Sequence, residues 1–214
     1  MIAGRFILCL RDRPIGVEEI QVELAGGRLR VEAETGIDVG RTRLRQTLSA
    51  EYDARLRPGW CTVRATIDSR CIECDITFEA GRVVVRGSGA AGPVLREVPL
   101  SCAPLLLVDN CFATHALASL AAAAAGPSPT GHGTPTRYLA APAGETLTVS
   151  PGRQPVFLGG ETYPPPTVTL DLLPDLQEHA WIEASWVDRL AIPQAHLRAD
   201  WIPGKSVHQA EAGA

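Results

Sequence analysis

From residue 41 to residue 56 the chain alternates apolar and polar side chains almost without interruption. Leu44, Leu48, Ala50, Tyr52, Ala54 and Leu56 fall on one face, and Arg43, Arg45, Thr47, Ser49, Glu51, Asp53 and Arg55 on the other. A period of two is the pattern of a half-buried β-strand and does not fit an amphipathic helix. At about 3.3 Å per residue such a strand exceeds the common length, so it is expected to bend and to run along more than one neighbour. The same period recurs on both sides. Ile20, Val22 and Leu24 interleave with Glu19, Gln21 and Glu23, and Gly26-Gly27 turns this strand into Leu29, Val31 and Ala33. Arg57-Pro58-Gly59 leads into Cys61, Val63, Ala65 and Ile67. Asp68-Ser69 then leads into Ile72, Cys74, Ile76 and Phe78, and Ala80-Gly81 into Val83 and Val85, which makes a meander.

Between residues 104 and 126 the period changes to that of a helix. Phe112, Ala116, Leu117, Leu120, Ala121 and Ala124 form one stripe, and the spacing predicts a helix over about 109–125, with Asp109 as N-cap and Gly126 as C-cap. The segment is almost uncharged, so it is expected to be buried all round, inside the concave face of a curled sheet. Residues 126–136 read as a polar Gly/Pro loop. Strands resume near 138–139, 147–149, 156–158, 168–172, 181–186, 190–192 and 197–202. The Tyr163-Pro-Pro-Pro166 run marks an edge or a crossing loop. The expected fold class is mainly β: long antiparallel strands in a curled sheet, a half-barrel or barrel, around one central α-helix. Residues 1–204 are expected to form a single domain and 205–214 a flexible tail. A cut near residue 127 would leave the C-terminal part with few large apolar residues for a core of its own.

Composition narrows the partners. The 214 residues are 45% hydrophobic and 21% charged, which is ordinary for a globular protein. Of the 20 basic residues only Lys205 is a lysine, a bias like that of GC-rich bacterial genomes. The net charge is -4 and the arginines alternate with acids along the strands, so no electrostatic footprint for nucleic acid is present. The apolar run before Arg11 is too short for an export signal and no window reaches a membrane span, so a cytoplasmic location is expected. In that compartment Cys9, Cys61, Cys71, Cys74, Cys102 and Cys111 are expected as reduced, mostly buried thiols.

Candidate chemistry is sparse. Cys71-Ile72-Glu73-Cys74 is a CxxC, but in a strand its two thiols point to opposite faces about 10 Å apart and no second ligand pair exists, so the reading is structural. His132, His179, His196 and His208 have no metal-ligand spacing, and neither a metal nor a cofactor is expected. No G-x-S-x-G elbow, phosphate loop or dinucleotide fingerprint occurs. The densest reactive cluster is the helix start. Asp109, Cys111 and His115 are the catalytic candidates, and Cys111, His115 and Ser119, four apart, share one helix face. A thiol in the first turn would have its pKa lowered by the helix dipole, and a neighbouring His could serve as base. The alternative is structural, with Asp109 as cap and His115 bonded to a strand carbonyl in the core. Tyr52, Trp60, Phe112, Trp181 and Trp186 are the candidate ligand-binding aromatics, the alternative being that they only fill the core.

The opening strand is followed by Pro14-Ile15-Gly16-x-Glu18, then the meander, then Asp109-Asn110-x-Phe112-x-x-His115 at the helix start, and finally Leu190-x-x-Pro193. This order resembles uncharacterised bacterial β-rich half-barrel domains. It is similar to the group that includes lipoprotein-carrier (LolA-like) proteins and proposed glycolipid-binding domains. The resemblance implies a curled sheet around a helix with an apolar groove for a lipid-like molecule. Two functions are expected on this scaffold: binding of a hydrophobic small molecule between sheet and helix, or cofactor-independent catalysis by an isomerase or cyclase on a polyketide- or terpenoid-like substrate.

Overall fold

The computed structural model describes residues 1–89, 92–100, 105–125, 135–141, 143–150, 152, 154–158, 160–173 and 175–204; for 135–141, 143–149, Gly89 and Leu173 only the backbone is described. Residues 126–134 of the loop predicted over 126–136, Cys102, Gly126, His132 and the predicted tail at 205–214 with His208 lie outside the described residues, while the last two residues of that loop, Pro135 and Thr136, are strand.

The first half of the chain is an up-and-down meander: β1 (Ile2–Leu10), β2 (Arg13–Ala25), β3 (Arg28–Val39), β4 (Thr42–Asp53), β5 (Pro58–Ile67), β6 (Arg70–Glu79), β7 (Arg82–Gly89) and β8 (Gly92–Pro99). Each pairs antiparallel with the next. Then come β9 (Leu105–Val108), helix α1 (Phe112–Ala125), β10 (Pro135–Ala141), β11 (Ala143–Ser150) and a small hairpin of β12 (Val156–Leu158) and β13 (Glu161–Tyr163). The chain ends with β14 (Val168–Leu173), β15 (Leu176–Glu183), β16 (Trp186–Ile192), a short 3-10 turn at Pro193–Ala195 and β17 (Leu197–Pro203). β17 returns beside β1 and joins the halves into one sheet of fifteen strands, with β8 at one edge and β9 at the other, so the sheet is not closed. β9 meets β10 in parallel, the connection running through α1.

The alternation decides which side is inside. Ile20 and Val22, Val31 and Ala33, Leu48, Ala50 and Tyr52, and Cys61 and Val63 are buried, while the residues between them are exposed or half-exposed. With strands of up to thirteen residues and the ordinary right-handed twist, the sheet curls around this apolar face. A continuous core runs from Phe6 through α1 to Ala199. Helix α1 packs chiefly on β9 and β16, and also on β14, β15 and β2. Its small side chains allow the close approach, and Phe112, Ala113, Ala116, Leu117, Ala118 and Ser119 are buried.

Three expectations change in detail. The strand expected over 41–56 is β4, Thr42–Asp53, because the Asp53 carboxylate accepts the amides of Arg55 (2.8 Å) and Arg57 (2.9 Å) and curls the chain into a turn with Leu56 at φ 59°. The helix starts at Phe112 and not at Asp109. It is not buried all round either, since Ala123, Ala124 and Ala125 are exposed, where the helix runs beyond its contacts with the sheet. The segment expected as one strand over 181–186 is broken by a turn at Ala184 (φ 54°), so that Trp186 opens β16.

Two glycines of the β2–β3 ladder test the packing. A Cβ on Gly16 would lie 2.1 Å from the Gly36 carbonyl oxygen and 2.9 Å from the Ile37 Cα, whereas one on Gly36 would meet only the Arg45 side chain, at 3.6 Å. Gly16→Ala is expected to cost about 1–3 kcal/mol or more, because rigid backbone must give way. Gly36→Ala is expected to stay within about 1 kcal/mol. Urea denaturation of both variants checks this, and equal losses would contradict the packing described.

Candidate functional site

The turn that feeds α1 is built from local chemistry. Asn110 takes a left-handed conformation (φ 60°), which a short amide side chain tolerates better than most, and this folds the chain from β9 back into the helix. The Cys111 amide donates to the Val108 carbonyl at 3.0 Å. The Thr114 hydroxyl donates to the Cys111 carbonyl at 2.8 Å and accepts the Val108 amide at 3.0 Å.

A helix leaves its first amides without partners, and inside a core they must be met. Here a carboxylate of the sheet meets them. Glu18 on β2, fully buried, accepts the Phe112 amide at 2.6 Å on Oε2 and the Ala113 amide at 3.0 Å on Oε1, while the Cys111 thiol donates to Oε1 at 3.3 Å. On the other side, fully buried Glu178 of β15 lies 2.6 Å from His115 Nδ1. The second ring nitrogen of His115, Nε2, is 3.3 Å from the Val108 carbonyl. From β4, Gln46 Nε2 donates to the Asp109 carbonyl at 3.2 Å. Three strands therefore grip one helical turn.

The electrostatics follow from the partners. Burial pushes the Glu18 carboxyl up to about 7, against the lowering effect of the Ala113 and Phe112 amides, the Cys111 thiol and the His115 charge. Burial opposes a charge on His115, but the Glu178 carboxylate, assisted by Glu18, outweighs it and leaves the imidazole above its ordinary value. Geometry agrees: both ring nitrogens face acceptors, an arrangement that favours the doubly protonated ring. Burial and the neighbouring Glu18 carboxylate raise the Cys111 thiol well above its ordinary value. The direction is opposite to the lowering expected from the helix dipole, because burial and then the adjacent Glu18 carboxylate disfavour the thiolate. Cys111 is a protonated donor and makes no bond to His115.

The structure brings together only part of the predicted set. Cys111, Phe112 and His115 form the helix start, with the Phe112 ring 6.4 Å from Phe6 and 6.1 Å from His115. Tyr52 and Trp186 are buried on the same concave face, and Trp186 lies 5.4 Å from Trp201. Asp109 is exposed and does not cap the helix, since Glu18 has taken the free amides. Trp60 lies on the convex face, 38% exposed, because the inward positions of β5 are Cys61, Val63 and Ala65. Trp181 is also convex, with its Nε1 donating to the Pro164 carbonyl at 2.9 Å. The expected strand carbonyl for His115 is that of Val108.

Glu18, Gln46 and Glu178 were missed, yet each occupies an inward position of its strand, in register with Ile20, Leu48 and Ala180. A polar residue at apolar parity is the signal that finds them. Five buried polar atoms have no partner among the described residues: Thr35 Oγ1, Tyr52 Oη, Ser119 Oγ, Glu178 Oε1 and Trp186 Nε1. The five described cysteines are free, with Cys71 exposed and Cys74 half-buried, and no three His, Cys, Asp or Glu among the described residues converge as a metal site. No described helix is long and apolar enough to cross a membrane.

The chain matches no family model and no curated protein. Among solved structures it is similar to a β-barrel-like protein of a domain of unknown function, DUF1849, from Brucella abortus. The two are 13% identical and superpose with a TM-score of 0.54 over 96% of this chain and 97% of the other. At that identity the likeness is one of fold: a β-barrel-like architecture.

Two outcomes are expected. Glu178→Gln removes the largest influence that opposes burial, so the His115 imidazole pKa falls, read by NMR titration of its ring protons; an unchanged value contradicts the pairing. Glu18 titrates at about 7 in the fold against an ordinary 4.5, so the folded state holds its proton more tightly. Its contribution to stability is complete below pH 4.5 and is lost as pH rises through about 7. The raised His115 acts in the same direction, at higher pH. Measured against Glu18→Gln, wild-type stability should therefore decline across that window, and a rise would overturn the assignment.

Proposed function

We propose that this domain binds a small, largely hydrophobic molecule with an uncharged polar group, held between α1 and the concave face of the sheet, without catalysis. The observation that carries the reading is the set of buried polar atoms without partners. Thr35, Tyr52 and Trp186 project from the concave face and Ser119 from the helix packed against it. A buried hydroxyl left unmet costs about 1–3 kcal/mol, and a bound molecule would supply the partners that these groups lack among the described residues. Half-buried Leu120, Ala121 and Ala122 on the helix, with Cys74 and Phe78 on β6, add apolar surface at the margin of that core. The sequence resemblance to lipoprotein-carrier and glycolipid-binding half-barrels supports a lipid-like occupant. The buried carboxylates Glu18 and Glu178 disfavour an anionic one.

The rival reading, an isomerase or cyclase acting on a polyketide- or terpenoid-like substrate, draws on the His115–Glu178 pair. It is the weaker, because both nitrogens of His115 are engaged, Cys111 is protonated and Asp109 is exposed.

Native mass spectrometry of the purified protein is expected to show an added small-molecule mass. In titrations followed by tryptophan emission, a fatty alcohol should bind more tightly than the fatty acid of equal chain length. Tyr52→Phe should weaken the alcohol about three- to tenfold, the value of one hydrogen bond. Protein of bare mass that neither probe perturbs would sink the proposal.

A further inference from the structure

The convex face of β14 and β15 carries a separate cavity of about 460 Å3, within the size range of small-molecule sites. It is bounded by β12, by Pro166 and by the 3-10 turn at Pro193 and Gln194. We infer that this cavity is a binding site for a neutral, polyhydroxylated ring, a sugar, with Phe157 as the stacking surface and Gln177, His179 and Gln194 among its hydrogen-bonding groups.

The lining chemistry leads there. Among the described lining residues no side chain carries a formal charge at neutral pH; the polar ones are Ser150, Gln154, Thr169, Gln177, His179 and Gln194. Amides and hydroxyls both donate and accept, as sugar hydroxyls do, while an ionic ligand would meet no counter-charge from these groups. Asp171, nearby, is occupied by Gln177 Nε2 at 2.7 Å. Half-buried His179 is fixed by a bond of 3.0 Å between its Nδ1 and the Thr169 hydroxyl and by an edge contact with Trp181, with centroids 6.3 Å apart. Burial lowers its pKa, opposed by the Glu178 and Asp171 charges, so the imidazole is neutral at pH 7. Its Nε2 has no partner among the described residues and is left for a ligand hydroxyl.

Phe157 supplies the apolar half of the site. It is 69% exposed although its neighbours Val156 and Leu158 are buried. Leu158 and Tyr163 pack the hairpin onto Ala191, and the Arg198 guanidinium donates to the Tyr163 hydroxyl at 3.1 Å, so the hairpin does not need Phe157 for its anchorage. A large ring held in water beside a cavity matches the C–H face of a sugar. Pro155, Pro166 and Pro193 form walls with fixed φ, which reduces the ordering cost of binding. The cavity is on the opposite side of the sheet from α1, so this inference stands apart from the interior site.

The test is a saturation-transfer and chemical-shift NMR titration of the whole chain. The neutral probes are glucose, N-acetylglucosamine and cellobiose, and the charged probes are glucuronate and sulfate. At least one neutral saccharide should shift the His179 imidazole and the Phe157 ring. Phe157→Ala and Gln194→Ala, both exposed positions, should each weaken that binding about tenfold, with the melting temperature unchanged in Phe157→Ala and at most slightly lowered in Gln194→Ala, whose Oε1 accepts the Gln177 amide at 3.4 Å. The inference is overturned if no neutral saccharide perturbs His179, if Phe157→Ala binds as well as wild type, or if only the charged probes bind.

Discussion

The carboxylate of Glu18, carried by β2 and buried against the first turn of α1, is the constraint on which the rest of the interior depends. The helix sequence is Phe-Ala-Thr-His followed by alanines, leucines and one serine, with no acid in its first turn and no basic residue in its last. Nothing within the helix offsets its dipole or meets its first amides. In a core those amides need an acceptor, and Glu18 gives two of them one, with Cys111 as a third donor. Helix formation and helix docking are therefore one event. The sheet supplies the cap, and the cap exists only where α1 lies on the sheet.

Placing a carboxylate there requires an answering arrangement across the core. Glu18 on β2 and Glu178 on β15 reach the same helical turn from the two halves of the sheet, and His115 lies within the influence of both. His115 partners Glu178 across the core, and the first amides of the helix partner Glu18, whose carboxyl burial nonetheless pushes up to about 7. A one-residue slip of β15 would carry Glu178 to the convex face and leave His115 without it. The cluster therefore fixes register as well as position, a specificity that apolar packing alone gives less sharply. The convex side follows a different logic. There Arg189, Arg198, Asp200 and Tyr163 tie the small hairpin to β16 and β17 through partly exposed charges, leaving Phe157 and the cavity beside it free of structural duty.

Much of the fold was legible because strand alternation is a local signal. The period of two through β2 to β7 located the meander, and the shift to helical spacing after residue 104 located α1. What failed was local chemistry read without its tertiary partners. Asp109 is a good N-cap by residue type, but the chain turns through Asn110 and leaves the cap to Glu18, 94 positions before Phe112. At Cys111 the expected effect of the helix dipole is outweighed by burial and by the adjacent Glu18 carboxylate. Trp60 and Trp181 have the residue type of a binding aromatic, but the parity of their own strands sets both on the convex face. Glu18, Gln46 and Glu178 were hidden because attention to alternation favours what is apolar, whereas the informative positions were the polar residues at inward parity. The 13% identity to the β-barrel-like structure makes the same point: pattern carries this fold further than residue identity does.

Native-state hydrogen exchange at the Phe112 and Ala113 amides tests the central claim most directly. If Glu18 is the acceptor that couples helix to sheet, both amides in the wild type exchange only through global unfolding. In Glu18→Ala both then lose protection together with the rest of α1, while the β3–β4 ladder keeps its own. Fast exchange at these two amides in the wild type, or protection unchanged in the variant, would contradict the account.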